Sequence, residues 1–232
     1  MAITKSLTAS AVSGTDATTY TFSAQALGTA ASDRYILIGA VARATASRTL
    51  DSVTVGGVSA TAIVNHEASS SNSGLWLAAV PTGTTGDVVL TFSAGMLRAG
   101  IAVWRLDGID TTPTDTDSSA ADPATANITI SAGGVAFSSS FIAISTTTLT
   151  TSWTNLTEDA SYLSSASWEN NGRCAHASAE FVSAQSELAL SNDWSAGSTP
   201  SAVFASFAPA AAGGFQAAWA HRQPRTIGAG VI

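Results

Sequence analysis

The apolar runs of this sequence are short, and their length is the feature that most constrains the fold. Each run is long enough for one strand and then stops at Gly, Ser, Thr, Asn or Asp. Such runs are typical of sandwiches and jelly rolls. At Val55–Val58, the pair Gly56-Gly57 supplies the positive φ angles of a hairpin turn. A helix over Pro209–Gly214 is disfavoured by the proline and by the two glycines that end the stretch.

The order of the runs repeats along the chain. Leu37 and Phe137 lie in similar apolar runs, as do Trp104 and Phe204, and the members of each pair are 100 positions apart. The halves are either two small lobes or parts of one sandwich. Alanine-rich strands bury little apolar area by themselves, which favours a common core. We therefore predict an all-β, antiparallel β-sandwich of the jelly-roll type, with about 10–14 short strands and two pseudo-repeated halves sharing one core.

Changes in composition divide the chain into segments. The expected order is an N-terminal segment, a β-sandwich made of two halves, and a C-terminal arm without strand alternation. An acidic, proline-containing stretch joins the halves and is predicted to be a loop. The boundaries are 1–17 for the N-terminal segment, 18–208 for the sandwich, 18–107 and 127–208 for its halves, 108–126 for the loop and 209–232 for the arm.

Charge and cysteine content exclude several classes of protein. The 232 residues include 9 Lys and Arg against 16 Asp and Glu, a net charge of −7, and Lys5 is the single lysine. This balance argues against nucleic acid or an anionic membrane as partner. Cys174 stands alone, so neither a disulfide framework nor a structural zinc site is expected. No apolar run approaches the length that spans a bilayer.

Residues with catalytic potential are present but scattered. Strand alternation puts Cys174, His176 and Ser178 on one face, which is formally compatible with a thiolate site, although packing in the core is the commoner role of such a pair. Asp115 and Asp117 resemble the start of a calcium loop without its glycine and bidentate glutamate. We therefore predict that the protein is not an enzyme and has no cofactor or metal.

Three tryptophans with polar neighbours raise a carbohydrate-binding alternative. Flat aromatic rings stack on sugar faces, and Trp153, Trp168 and Trp194 each adjoin a polar residue. These three are the candidate glycan-stacking residues, for example in a host-adhesion module of a phage tail.

Positions that usually carry surface charges carry Ala, Ser and Thr instead. Examples are Ser69–Ser71, Ser138–Ser140 and Thr146–Thr151. These side chains lose little rotamer entropy when they are immobilised, and a surface without charges leaves strand edges unprotected. The composition therefore predicts surfaces that neighbouring subunits cover.

Several segments resemble virion proteins of tailed bacteriophages and related gene-transfer particles. They are Asp33–Val41, Ser52–Thr61, Leu75–Phe92 and the closing strands Ile101–Trp104 and Ala202–Phe207. The resemblance implies a β-sandwich or jelly-roll structural subunit without catalysis, assembled in the host cytoplasm into the virion. Its residues build strands and turns, so it transfers no functional residue.

The expected function is therefore that of a bacteriophage structural protein, a capsid decoration or spike component. Its partners would be copies of itself and other virion proteins, with a host-surface glycan as the alternative ligand. The C-terminal arm breaks the strand pattern, and we expect it to make assembly contacts through Trp219, Arg222 and Arg225.

Overall fold

A computed structural model describes residues 2–144, 149–162 and 172–211, and all the regular structure in them is β. The first half of the chain contains β1 (Thr4–Ser13), β2 (Ala17–Ala26), β3 (Arg34–Arg43), β4 (Leu50–Val55), β5 (Val58–Ser59), β6 (Thr61–Ala68), β7 (Ser71–Ala79), β8 (Thr85–Met96) and β9 (Arg98–Asp107). The second half contains β10 (Ile109–Ser119), β11 (Ala124–Ile130), β12 (Gly134–Ala143), β13 (Thr151–Thr154), β14 (Thr157–Tyr162), β15 (Arg173–Phe181), β16 (Gln185–Trp194) and β17 (Ser198–Pro209). Nothing helical that could cross a membrane occurs in these ranges.

The strands form four antiparallel sheets, two in each half. Sheet A has the order β1-β9-β3-β7-β6, and sheet B has the order β2-β8-β4-β5. Sheet C has the order β10-β17-β12-β15-β14, and sheet D has the order β11-β16-β13. The strand order of sheet C therefore repeats that of sheet A, and sheet D repeats the first three strands of sheet B.

Each half is wound as a jelly roll. In the first half β1 pairs with β9, β2 with β8, β3 with β7 and β4 with β5, so the partners are nested from the ends of the half inwards. The second half pairs β10 with β17, β11 with β16 and β12 with β15 in the same nested way. The predicted antiparallel jelly-roll sandwich and its pseudo-repeat are confirmed, but the described residues contain 17 strands where about 10–14 were predicted.

The spacing of the repeat changes along the chain. Leu37 pairs with Trp104, whereas Phe137 pairs with Ala205, so Ala205 is the structural counterpart of Trp104. The sequence alignment of Trp104 with Phe204 is therefore wrong by one residue. A shift of one residue moves a side chain to the other face of its sheet, and Phe204 accordingly packs in a different core cluster from Trp104.

The predicted boundaries of the halves need a correction at the same place in each repeat. The segment 1–17 contains strand β1, and the acidic stretch 108–126, predicted as a loop, contains strand β10 and the start of β11. β1 and β10 are equivalent edge strands of sheets A and C. Both strands are rich in Thr, Ser or Asp because part of their surface faces solvent. Their polar sequences resemble those of loops, so the sequence pattern did not predict them as strands.

The four sheets are stacked in the order B, A, C, D. Ile36 and Ile38 of sheet A pack with residues of sheet B, whereas Leu37 packs with Phe137 of sheet C. Phe204 of sheet C packs with strands of sheet D. Each half therefore has its own sandwich core, which the prediction of one common core did not include, and a further core shared by both halves joins sheet A to sheet C.

The central position of sheets A and C buries both faces of their middle strands. Every residue of β12 is buried, including Ser138, Ser139 and Ser140. These serines were expected on the surface as part of a face that other subunits cover. They are instead covered by sheets A and D of the same chain, because a central sheet of a stack has no solvent face.

Close contact between sheets A and C depends on a glycine in β3. A Cβ atom added to Gly39 would overlap Ser139 Oγ and lie 2.9 Å from the Trp104 ring and 3.0 Å from His176 Nδ1. The interface therefore has room for a backbone at this point but not for a methyl group.

One arginine holds the loops at the end of the first sandwich. Arg34 is 1% exposed. Its guanidinium donates to the carbonyl oxygens of Val80 at 2.6 Å, Gly28 at 2.9 Å, Thr82 at 2.7 Å and Gly83 at 2.8 Å, with a longer bond to Leu27 at 3.3 Å. All five N–H donors of an arginine thus have a carbonyl partner, and the loops on both sides of the guanidinium are bound to it.

We predict that Arg34→Lys destabilises the fold. An ammonium has three donors without the planar fork of a guanidinium, so buried carbonyls lose their partners at a cost of about 2–4 kcal/mol in the free energy of unfolding. Urea denaturation measures the change. Arg48→Lys is the matched control, because the half-buried Arg48 donates a single bond, of 3.0 Å, to the backbone oxygen of Ser47, and equal losses in the two variants would contradict the prediction.

Candidate functional site

A group of polar side chains crosses the interface between sheets A and C. Ser139 Oγ lies 3.0 Å from His176 Nδ1, and Trp104 Nε1 donates to Asp159 Oδ2 at 2.9 Å. The hydroxyl of Ser178 donates to the same carboxylate oxygen. The rings of Trp104 and His176 meet edge to face with their centroids 6.0 Å apart. The group therefore links both halves of the chain.

These residues include Ser, His and Asp without the arrangement of a catalytic triad. A triad needs the carboxylate to orient the histidine, but Asp159 bonds to Trp104 and Ser178. Ser139 and His176 are both fully buried. The arrangement holds two sheets together and gives no substrate access to the pair.

The face of β15 that carries Cys174 and His176 belongs to the core, which confirms packing as their role. Cys174 is fully buried beside Val41 and Phe141. Burial raises the pKa of its thiol, so the residue is a neutral thiol at physiological pH.

Burial also lowers the pKa of His176 to about 3 because the imidazolium would lose its hydration. An unfolded histidine has a pKa of about 6.5. Between these values the unfolded chain binds a proton that the folded chain does not bind. The contribution of neutral His176 to stability is therefore complete above pH 6.5 and is lost as the pH falls toward 3.

We predict that His176→Gln flattens the acid side of the stability profile. The slope of unfolding free energy against pH, measured by urea denaturation between pH 4 and 6, should decrease by about 1 kcal/mol per pH unit. Wild-type and variant profiles that run parallel in this range would contradict the prediction, whatever their absolute stabilities.

Acidic residues on β10 satisfy local backbone groups. Asp115 accepts bonds from the backbone N–H of Thr116 and Thr129, both at 2.8 Å, and Asp117 accepts one from Ser118 at 2.7 Å. Within the described ranges no three His, Cys, Asp or Glu residues are grouped so that they could hold a metal ion.

The described tryptophans do not form the expected glycan platform. Trp194 is 4% exposed and its Nε1 donates to Ser140 Oγ at 3.0 Å, so its expected exposure is wrong. Trp153 is half-buried and packs against the cores beside sheet D. Trp168 lies outside the described residues, as do the predicted arm contacts Trp219, Arg222 and Arg225.

The sheet edges fall into two groups that differ in charge. We call β1, β6, β10 and β14 the inner edges because they border sheets A and C, and β2, β5, β11 and β13 the outer edges because they border sheets B and D. Every inner edge carries at least one charged side chain, and the outer edges carry none. This division concerns the sheets as the described residues form them.

The outer faces of sheets B and D carry rows of small polar side chains together with a few exposed carboxylates, Asp51 and Asp87 on sheet B and Glu187 and Asp193 on sheet D. Thr91 pairs with Thr19 on one side and Ser52 on the other. In sheet D, Ser191 pairs with Thr125 and with Thr154. The two ends of the stack therefore present similar hydroxyl-rich rows.

Two surface clefts lie away from the buried polar group. The first, the Tyr35 cleft, has a volume of about 380 Å³ and is lined by Tyr35, Val58, Ser59, Thr61, Ile63, Leu77, Ala79 and Thr111. The second, the Pro209 cleft, has a volume of about 240 Å³ and is lined mainly by Ile3, Gly134, Glu180, Phe181, Val182 and Pro209.

Comparison with known proteins gives no match to a family model, to a curated protein or to a solved structure. The functional assignment therefore depends on this chain's own surfaces. Sequence reasoning missed both clefts and the Arg34 cluster, because each is built from residues far apart in the chain. The charge difference between edges was readable in the sequence once the strand order was known.

Proposed function

We propose that the protein is a structural subunit that works by assembling with copies of itself. The resemblance of its strands to virion proteins of tailed bacteriophages supports a place in a phage particle, as a capsid decoration or spike component. Other virion proteins would then be its further partners, and the virion its location.

The charge-free outer edges are the observation that carries this proposal. An edge strand presents unpaired N–H and C=O groups, and proteins normally protect such edges with charges or by keeping them short. β5 has 2 residues and β13 has 4, so their shortness limits pairing. β2 has 10 residues and β11 has 7, and neither carries a charge.

The pseudo-repeat makes these two long edges equivalent. β2 borders the outer sheet of the first half as β11 borders that of the second. One copy can therefore place its β2 beside the β11 of the next copy, and that second copy still has a free β2. Such head-to-tail contacts generate rings when the rotation closes and filaments when it does not.

We predict that a lysine on either long edge weakens self-association at least tenfold. Thr21→Lys and Asn127→Lys each place a charge on an exposed position of an edge strand, where it opposes strand pairing. Sedimentation velocity over a range of concentrations measures the association.

Ser52→Lys is the matched control, because Ser52 is exposed on β4, which pairs with β8 and is separated by it from the edge strand β2. We expect this variant to associate like the wild type. A wild type that stays monomeric would overturn the proposal of self-assembly, and equal weakening by Ser52→Lys would assign assembly to the sheet face instead of the edge. Loss of a specific particle feature after gene deletion, seen by imaging, tests the place in the virion.

Carbohydrate binding is a second candidate function, supported by the Tyr35 cleft. An aromatic ring lies there beside the hydroxyls of Ser59, Thr61 and Thr111, and the lining has no charged side chain. This chemistry suits a neutral sugar, which stacks on a ring and exchanges hydrogen bonds with hydroxyls.

We predict that any saturable glycan binding found on an array is lost in Tyr35→Ala and kept in Trp153→Phe. The first change removes the ring from the cleft, whereas the second alters a ring that packs against the core. If the Tyr35→Ala variant still binds the glycan, the Tyr35 cleft is not the sugar-binding site.

A further inference from the structure

The Pro209 cleft combines an apolar lining with a negative rim. Ile3, Phe181 and Pro209 line it, and each is half-buried. Val182 is 93% exposed, the most exposed large apolar side chain among the described residues. Glu180, which is also exposed, adds a carboxylate to the lining. A cleft of this composition suits an apolar side chain that is followed by a positive charge.

The described chain ends beside this cleft. β17 finishes at Pro209, which is part of the lining, and Ala210 N donates to Gly108 O at 2.8 Å. The last described residue is Ala211, and residues 212–232 follow it. Any segment that continues from this point starts close to the cleft.

The sequence of residues 212–232 complements the lining. Near its start, after Ala212, lies Gly213-Gly214, a pair that permits a sharp reversal of the backbone. Trp219 then supplies a large apolar side chain, and Arg222 supplies a positive charge three residues later. The whole segment has no Asp or Glu, in a chain whose net charge is −7.

We propose that the C-terminal segment of the same chain folds back at Gly213-Gly214 and inserts Trp219 into the Pro209 cleft, with Arg222 facing Glu180. Trp219 is eight residues beyond Ala211, so an extended chain reaches up to about 26 Å. A short tether gives an effective concentration in the millimolar range, which favours the cleft of the same chain over that of another copy. This inference is independent of the proposed function.

A pair of cysteines tests the position of the segment in the full chain. Val182→Cys is combined with Ala220→Cys, next to Trp219, and the native Cys174 is fully buried and gives little background. Disulfide formation needs Cα atoms within about 7 Å. We expect an internal disulfide between residues 182 and 220 that forms at a rate independent of protein concentration.

Val58→Cys combined with Ala220→Cys is the matched control. Val58 is the other exposed large apolar residue in the ranges that the structure describes, 39% exposed, and lies at the Tyr35 cleft. We expect the control pair to form its disulfide at least tenfold more slowly. Equal rates for the two pairs would overturn the proposal. Disulfide-linked dimers that increase with concentration would also overturn it, since they would indicate the cleft of another copy.

A third substitution tests the role of the indole. Trp219→Ala in the 182/220 pair should slow disulfide formation at least fivefold, whereas His221→Ala should leave the rate unchanged. Glu180→Lys should slow it as well, because the carboxylate that faces Arg222 becomes an ammonium. If none of these substitutions changes the rate of disulfide formation, the segment reaches position 182 without occupying the cleft, and the proposal is wrong.

Discussion

The burial of both faces of sheets A and C is the constraint on which the rest of this structure depends. Sheets that pack face to face lie about 10 Å apart and interdigitate their side chains. In a stack of four sheets, the side chains of the two central sheets must interdigitate with a neighbouring sheet on both faces. Their middle strands are accordingly buried along almost their whole length, and Gly39 is required where sheet A approaches Ser139 of sheet C. The four sheets can therefore stack only if some side chains in these middle strands are small.

Polar groups in such an interior need partners inside the protein, and the pairs that form also join the halves. Ser73 Oγ donates to Ser201 O at 2.8 Å, and Trp104 donates to Asp159 across the interface. Each bond contributes about 1 kcal/mol when it is made, and losing one partner costs more because the other remains buried. Directional hydrogen bonds therefore fix how sheets A and C pack, in addition to apolar contact. Serine suits this interface because its side chain is small and can form a hydrogen bond.

The surface follows from the same architecture. Because sheets A and C are covered on both faces, they meet solvent mainly at their edges, and each of those edges carries at least one charge. Sheets B and D keep one open face, which carries hydroxyls and exposed carboxylates such as Asp87 and Asp193, and their long edge strands β2 and β11 carry no charge. Charged edges oppose unwanted strand pairing. The uncharged edges then remain as the places for contact between copies, which is why self-assembly is the function proposed.

The sequence was enough to predict the β class, the jelly-roll winding and the repeat, because these depend on strand length, turn residues and the order of runs along the chain. It did not reveal β1 and β10, whose polar edge positions look like loop, or the shift that aligns Trp104 with Ala205. Three features became apparent only in the folded chain: the burial of Ser138–Ser140 and Trp194, the five carbonyls that the guanidinium of Arg34 binds, and the positions of the clefts. Burial of a small or amphipathic side chain is set by what packs above its strand, and a strand's own sequence does not contain that information.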